Sequence, residues 1–219
     1  MSRARTLANF VGGTSTISGT PTFTGTVTGA GSNSGYRFIS KTAISTSSAV
    51  QEFTNIFSAD YNHYKLFWDI SGSDSSDDDI SHSFQFLKAS DGSVDTTGDI
   101  DFAFHGRDSG NVSRVMPASR NNRTFFNWNY NTTENDKPAY YEMAIYAPFL
   151  SKFTTVNSTG TYMVNDNTDA ATFYGGAIRT NTTSYSGMKL ILVSSNDSST
   201  PDTSCSATGS LLVYGLAES

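Results

Sequence analysis

Apolar and polar residues alternate along most of this chain, and turn signals restart the alternation roughly every 8–12 residues. That pattern restricts the body to β architecture. The clearest instance is His63-Tyr64-Lys65-Leu66-Phe67-Trp68-Asp69-Ile70, with Tyr64, Leu66, Trp68 and Ile70 on one side. Ile100–His105 repeats it with Ile100, Phe102 and Phe104, and Thr124–Tyr130 with Phe126, Trp128 and Tyr130. Met188–Val193 is a continuous apolar run, which suits a central strand. Further strands are expected over Tyr36–Lys41, Gln51–Ile56, Ser83–Leu87, Val112–Met116, Tyr140–Ala147, Phe153–Val156, Tyr162–Val164, Thr172–Ile178 and Ser210–Leu216. Asp60-Tyr61-Asn62 and Ser90-Asp91-Gly92-Ser93 carry turn chemistry. Thr42–Ser48, Ser71–Asp79 and Asn196–Ser206 read as polar connections. A dozen or so short strands imply an all-β, jelly-roll-like β-sandwich over residues 36–219, with Trp68 and Trp128 in one core.

The composition agrees. Charged residues are few, while 15 Phe and 11 Tyr sit among many Ser, Thr, Asn and Gly. The net charge of −6 argues against a nucleic-acid partner, since nothing would neutralise a row of phosphates. Cys205 is the only cysteine, which excludes an intrachain disulfide and a zinc cluster. No apolar run approaches the roughly 20 residues of a membrane helix. Arg3 and Arg5 precede no apolar h-region, so no secretory signal is read and folding in a cytoplasm is expected. The Asn-x-Ser/Thr triplets, as at Asn111 and Asn181, then reflect composition rather than glycosylation.

Residues 12–35 are different. Thr16-Ile17-Ser18-Gly19, Thr22-Phe23-Thr24-Gly25 and Thr26-Val27-Thr28-Gly29 repeat one unit: Thr, an apolar residue, a hydroxyl residue, Gly. One apolar side chain in four cannot offset the entropy of ordering a single chain. The segment is therefore a flexible tether or a thin stalk of several chains. In a stalk, Ile17, Phe23 and Val27 would point at a shared axis, and the glycines would let the backbones approach. Residues 1–11 are basic, then apolar. They are too short for a stable isolated helix, and suit a terminus that orders on another protein. Arg3 and Arg5 would meet acidic groups there, while Leu7 and Phe10 fill pockets.

The start Met1-Ser2-Arg3-Ala4-Arg5-Thr6-Leu7-Ala8-Asn9, followed by Thr22–Gly29, resembles the N-termini of appendage proteins from tailed bacteriophages, especially marine and cyanobacterial ones. Thr6 stands where those proteins usually carry an acidic residue. The block Phe53–Leu66 is similar, more loosely, to one that opens jelly-roll-like sandwiches in phage fibre heads. The resemblance implies a virion location, an anchor over residues 1–11 that meets other virion proteins, a trimeric stalk over 12–35 and a displayed head. It implies a non-enzymatic structural role. The alternative is a receptor-binding head for host cell-surface polysaccharide.

Candidate sites in the body are modest. No cofactor, metal or membrane insertion is expected, and no catalytic motif such as Gly-x-Ser-x-Gly occurs. The acidic loop with Asp74, Asp77, Asp78 and Asp79 lacks the spacing of a calcium loop and reads as a solvated charge run. Asp99, Asp101 and Glu142 are the carboxylates a glycosidase could use, but the reading is against an enzyme. His63, His82 and His105 lie on or beside strands and read as surface. Sugar contact has better chemistry: Asn129, Tyr130 and Tyr140 combine aromatic faces with hydrogen-bonding edges.

Overall fold

The computed structural model describes residues 35–74, 80–108, 113–123, 126–127, 137–164, 169–193 and 200–216. These residues hold twelve strands and no helix: β1 (Tyr36–Thr46), β2 (Val50–Phe53), β3 (His63–Asp74), β4 (Ser81–Lys88), β5 (Ile100–Asp108), β6 (Ser113–Arg123), β7 (Phe126–Asn127), β8 (Pro138–Tyr146), β9 (Thr154–Val164), β10 (Asp169–Arg179), β11 (Tyr185–Val193) and β12 (Cys205–Leu216). They form an eight-stranded sheet, β1-β12-β3-β8-β9-β10-β5-β6, and a four-stranded sheet, β2-β11-β4-β7. All neighbouring strands run antiparallel. The result is an all-β, sandwich-like fold.

The inward residues are those the alternation selects. In β3, Tyr64, Leu66, Trp68 and Ile70 are fully buried while their neighbours are partly exposed. Trp68 lies between the sheets, with its ring centroid 5.1 Å from Phe53 of β2 and 4.9 Å from Phe84 of β4. Tyr141 of β8 reaches the same Phe84 at 6.3 Å. The Met188–Val193 run lies in β11, between β2 and β4, as a central strand requires. Trp128 and the ends of its expected strand lie outside the described residues; β7 is the part of it that pairs with β4.

Several strands exceed their sequence signal. β3 continues into the expected loop to Asp74, because Gly72 and Asp74 still pair with Ala207 and Cys205 of β12. The two segments expected at Phe153–Val156 and Tyr162–Val164 are one strand, β9. Its middle carries small and hydroxyl residues, which extended chain accepts, and both edges are paired. Gly209 of β12 has φ of 141°, and a Cβ there would collide with the Asp69 carbonyl oxygen, so this register requires glycine.

His82 departs from its surface reading. β4 is buried on both faces, Ser81 to Leu87, so either phase of the strand is inside. The His82 Nδ1 lies 2.6 Å from the Tyr141 hydroxyl, and burial lowers the imidazole pKa to about 3. A histidine held neutral in the fold, with an unfolded value near 6.5, stabilises the fold fully above that value. The contribution is lost as pH falls from about 6.5 towards 3. Between pH 6.5 and 4.5 the expected loss from His82 is roughly 2–3 kcal/mol. Urea unfolding at both pH values should show it, and His82→Gln should flatten the difference. An unchanged pH slope in the variant would assign the acid lability elsewhere.

Candidate functional site

The outward face of the eight-stranded sheet carries the site. Strand register places side chains in rows across it. One row is Ser210 (β12), Asp69 (β3), Tyr140 (β8), Thr161 (β9) and Thr172 (β10). Two residues along, the next is Leu212, Phe67, Glu142, Thr159 and Tyr174. The outward residues of β9 are short, whereas Tyr140 and Tyr174 rise from the strands on either side of it. Their exposures of 60% and 61% are the largest among the exposed large hydrophobic residues. The height difference makes a groove of about 620 Å³ between Phe67, Tyr140 and the β9 threonines. A second hollow of about 430 Å³ shares Glu142 and Thr159 and continues to Asn157 and Tyr174.

Of the two carboxylates of the groove, Glu142 is paired and Asp69, among the described residues, is not. Glu142 Oε1 is 2.6 Å from Lys65 Nζ. The hydrogen bond with Glu142 is the largest reason the Lys65 pKa is raised. The same ammonium lies 5.5 Å from the Phe67 ring centroid and 5.9 Å from that of Tyr36. Asp69, half-buried one strand from Tyr140, makes no hydrogen bond or ion pair with any described residue. The groove therefore offers aromatic faces, hydroxyl groups and one carboxylate open to a ligand. That set can hold rings whose faces are apolar and whose edges carry hydroxyls.

Of the residues expected to contact sugar, Tyr140 stands at the rim of this groove. Asn129 and Tyr130 lie outside the described residues, as do Arg3, Arg5, Leu7, Phe10, Ile17, Phe23 and Val27. The glycosidase carboxylates are dispersed: Asp99 lies 3.0 Å from Arg179, whereas Glu142 is in the groove. His63 packs on Tyr146 and His105 on Tyr174, at 4.7 and 5.3 Å between ring centroids. Sequence reasoning passed over Phe67, Asp69, Thr159, Thr161 and Tyr174. Their one signal was position: each lies out of phase with the core residues of its own strand.

A second cluster lies where β3 meets β12. Ligand atoms of Asp74, Asp202 and Cys205 fall within 4.8 Å of one another. Asp202 Oδ1 accepts from the Ser204 amide and hydroxyl at 3.0 and 2.6 Å, and the Cys205 thiol lies 3.6 Å from Asp74 Oδ2. Burial, then the charges of Asp74 and Asp202, push the thiol up to about 12. In this state the thiol is protonated and donates to Asp74. The arrangement fastens the start of β12 to the end of β3.

Comparison with family models, curated proteins and solved structures returned no match.

Proposed function

We propose that this chain is a phage virion appendage whose sandwich is a displayed, non-enzymatic head that binds cell-surface polysaccharide. The observation that carries the binding role is the groove lined by Tyr140 and the β9 threonines, together with the adjoining hollow that reaches Tyr174. The virion assignment rests on residues 1–35. There, Arg3, Arg5, Leu7 and Phe10 would attach the chain to other virion proteins. Ile17, Phe23 and Val27 would pack a homotrimeric stalk. A jelly-roll reading of the head is supported by strand order. β1-β12-β3-β8 in one sheet and β2-β11-β4-β7 in the other are two interleaved sets of four. The hairpins β5–β6 and β9–β10 widen the larger sheet, and β9–β10 supplies one side of the groove.

Binding fits the groove better than cleavage. A glycosidase needs one carboxyl held protonated beside a second that is ionised. Here Glu142 faces an ammonium, not an apolar pocket. Polysaccharide binding by the full chain tests the proposal. Tyr140→Ala and Tyr174→Ala should each raise Kd about tenfold, which is roughly 1.4 kcal/mol. Their stability should change by no more than about 0.5 kcal/mol. Unchanged binding in both variants would remove the groove from the function, and release of reducing ends would replace binding with hydrolysis.

A further inference from the structure

We infer that the groove selects uncharged polysaccharide chains and that Asp69 sets this choice. The inference rests on the reading of the head as a polysaccharide binder. It starts from the charge of the groove: the charged side chains that line it, Asp69 and Glu142, are both acidic. The cation closest to hand, Lys65, is committed to Glu142 at 2.6 Å. Lys41 and Arg107 stand one strand beyond the two ends of the rows, next to Leu212 and Thr172. A uronate or sulfated chain stacked on Tyr140 would bring anions beside Asp69 on the adjacent strand, with no lining cation to neutralise them. Both charges fall within a Debye length, about 10 Å at ordinary ionic strength, so salt does not hide the repulsion.

Asp69 contributes more than exclusion. It has no partner among the described residues, and its neighbour in the row is Tyr140. A carboxylate accepts from two hydroxyls at once, and hydrogen bonds to an ionised acceptor are about twice as strong as neutral ones. A sugar ring stacked on Tyr140 would have its hydroxyl edge towards Asp69. The Thr159 and Thr161 hydroxyls, which both donate and accept, offer hydrogen bonds on the other side. Tyr174 lies two strands from Tyr140 and one row along. At about 4.8 Å per strand and 3.4 Å per residue, the two positions are roughly 12 Å apart along the sheet. That span exceeds one ring, so the occupant is a chain and not a free monosaccharide.

Affinity electrophoresis of the full chain tests this, in gels containing neutral polysaccharides (mannan, galactan, dextran) or acidic ones (alginate, hyaluronate). At least one neutral polymer should retard the wild-type protein, and neither acidic one should. Asp69→Asn should weaken the neutral interaction about tenfold. Asp69→Lys should abolish it and admit an acidic polymer. Each variant must keep the wild-type melting temperature, which the half-buried outward position of Asp69 favours. Wild-type binding to acidic polymers at equal or greater strength would overturn the inference and leave the binder reading in place. Neutral binding indifferent to both substitutions would do the same. No retardation in any gel, with Tyr140→Ala equally silent, would overturn both.

Discussion

Trp68→Ala should cost about 3–5 kcal/mol, the range for truncating a buried large aromatic. A domain of this size commonly has only 5–15 kcal/mol in all. The melting temperature should fall by roughly 10 °C, at 2–4 °C per kcal/mol, and soluble yield should fall with it. The residue is fully buried, and its ring touches Phe53 and Phe84 of the opposite sheet, so the cavity would open between the layers. Neither sheet can collapse into it without losing register. Trp68→Phe should behave differently. The indole Nε1 is buried without a hydrogen-bond partner, and an orphaned donor costs about 1–3 kcal/mol. Phenylalanine removes that donor and leaves a smaller void, so the two effects oppose each other. Thermal melts of both variants decide the matter. A Trp68→Phe loss as large as that of Trp68→Ala would mean the indole N–H is satisfied in solution.

The same strand shows how far the sequence could be read. Tyr64, Leu66, Trp68 and Ile70 declare their phase because one face of a paired strand is apolar and the other is not. Phe67 and Asp69, one step out of that phase, read only as the other face. Their role depends on which strands lie beside β3. The order β3-β8-β9-β10 brings Asp69, Tyr140, Thr161 and Thr172 into one row. No local pattern encodes that order, since chain direction and turn residues say where strands end, not whom they meet. Tyr140 could be singled out because an aromatic before another aromatic puts one of the pair outside. Tyr174, directly after Phe173, carries the same cue, but only the strand order places it across β9 from Tyr140. His82 shows the opposite limit. Alternation assumes one wet face, and β4 has none.

The least legible feature is also among the most consequential. Arg179, at the end of β10, is 1% exposed. Its Nη2 lies 2.6 Å from Asp95 Oδ2 and 3.0 Å from Asp99 Oδ1, and donates to the Thr97 hydroxyl at 2.6 Å. Its Nε donates to the Tyr185 hydroxyl at 2.5 Å, and that hydroxyl donates to Asp95 at 2.7 Å. The cluster ties the β4–β5 connection to β10 and β11. Removing one partner of a buried pair strands the other charge, so Arg179→Met should cost about 3–5 kcal/mol. The two carboxylates should then separate. Burial pushes Asp95 up, but hydrogen bonds from Tyr185 and Thr97 and the Arg179 charge outweigh it and hold the group at about 2. A depressed carboxylate stabilises above its unfolded pKa and loses that contribution as pH falls through the folded one. At neutral pH, Asp95 thus contributes about 2 kcal/mol, lost between roughly pH 4 and 2. Burial raises the Asp99 pKa more than Arg179 lowers it, so its ionised form opposes folding at neutral pH. Asp95→Asn should destabilise and Asp99→Asn should be neutral or stabilising. With Arg179→Met in the background, Asp95→Asn should recover part of the loss, because it removes the stranded charge. Urea midpoints for the four variants at pH 7 measure all of this. Equal losses for Asp95→Asn and Asp99→Asn, or a double variant no better than Arg179→Met, would show that the cluster is held by packing and not by charge.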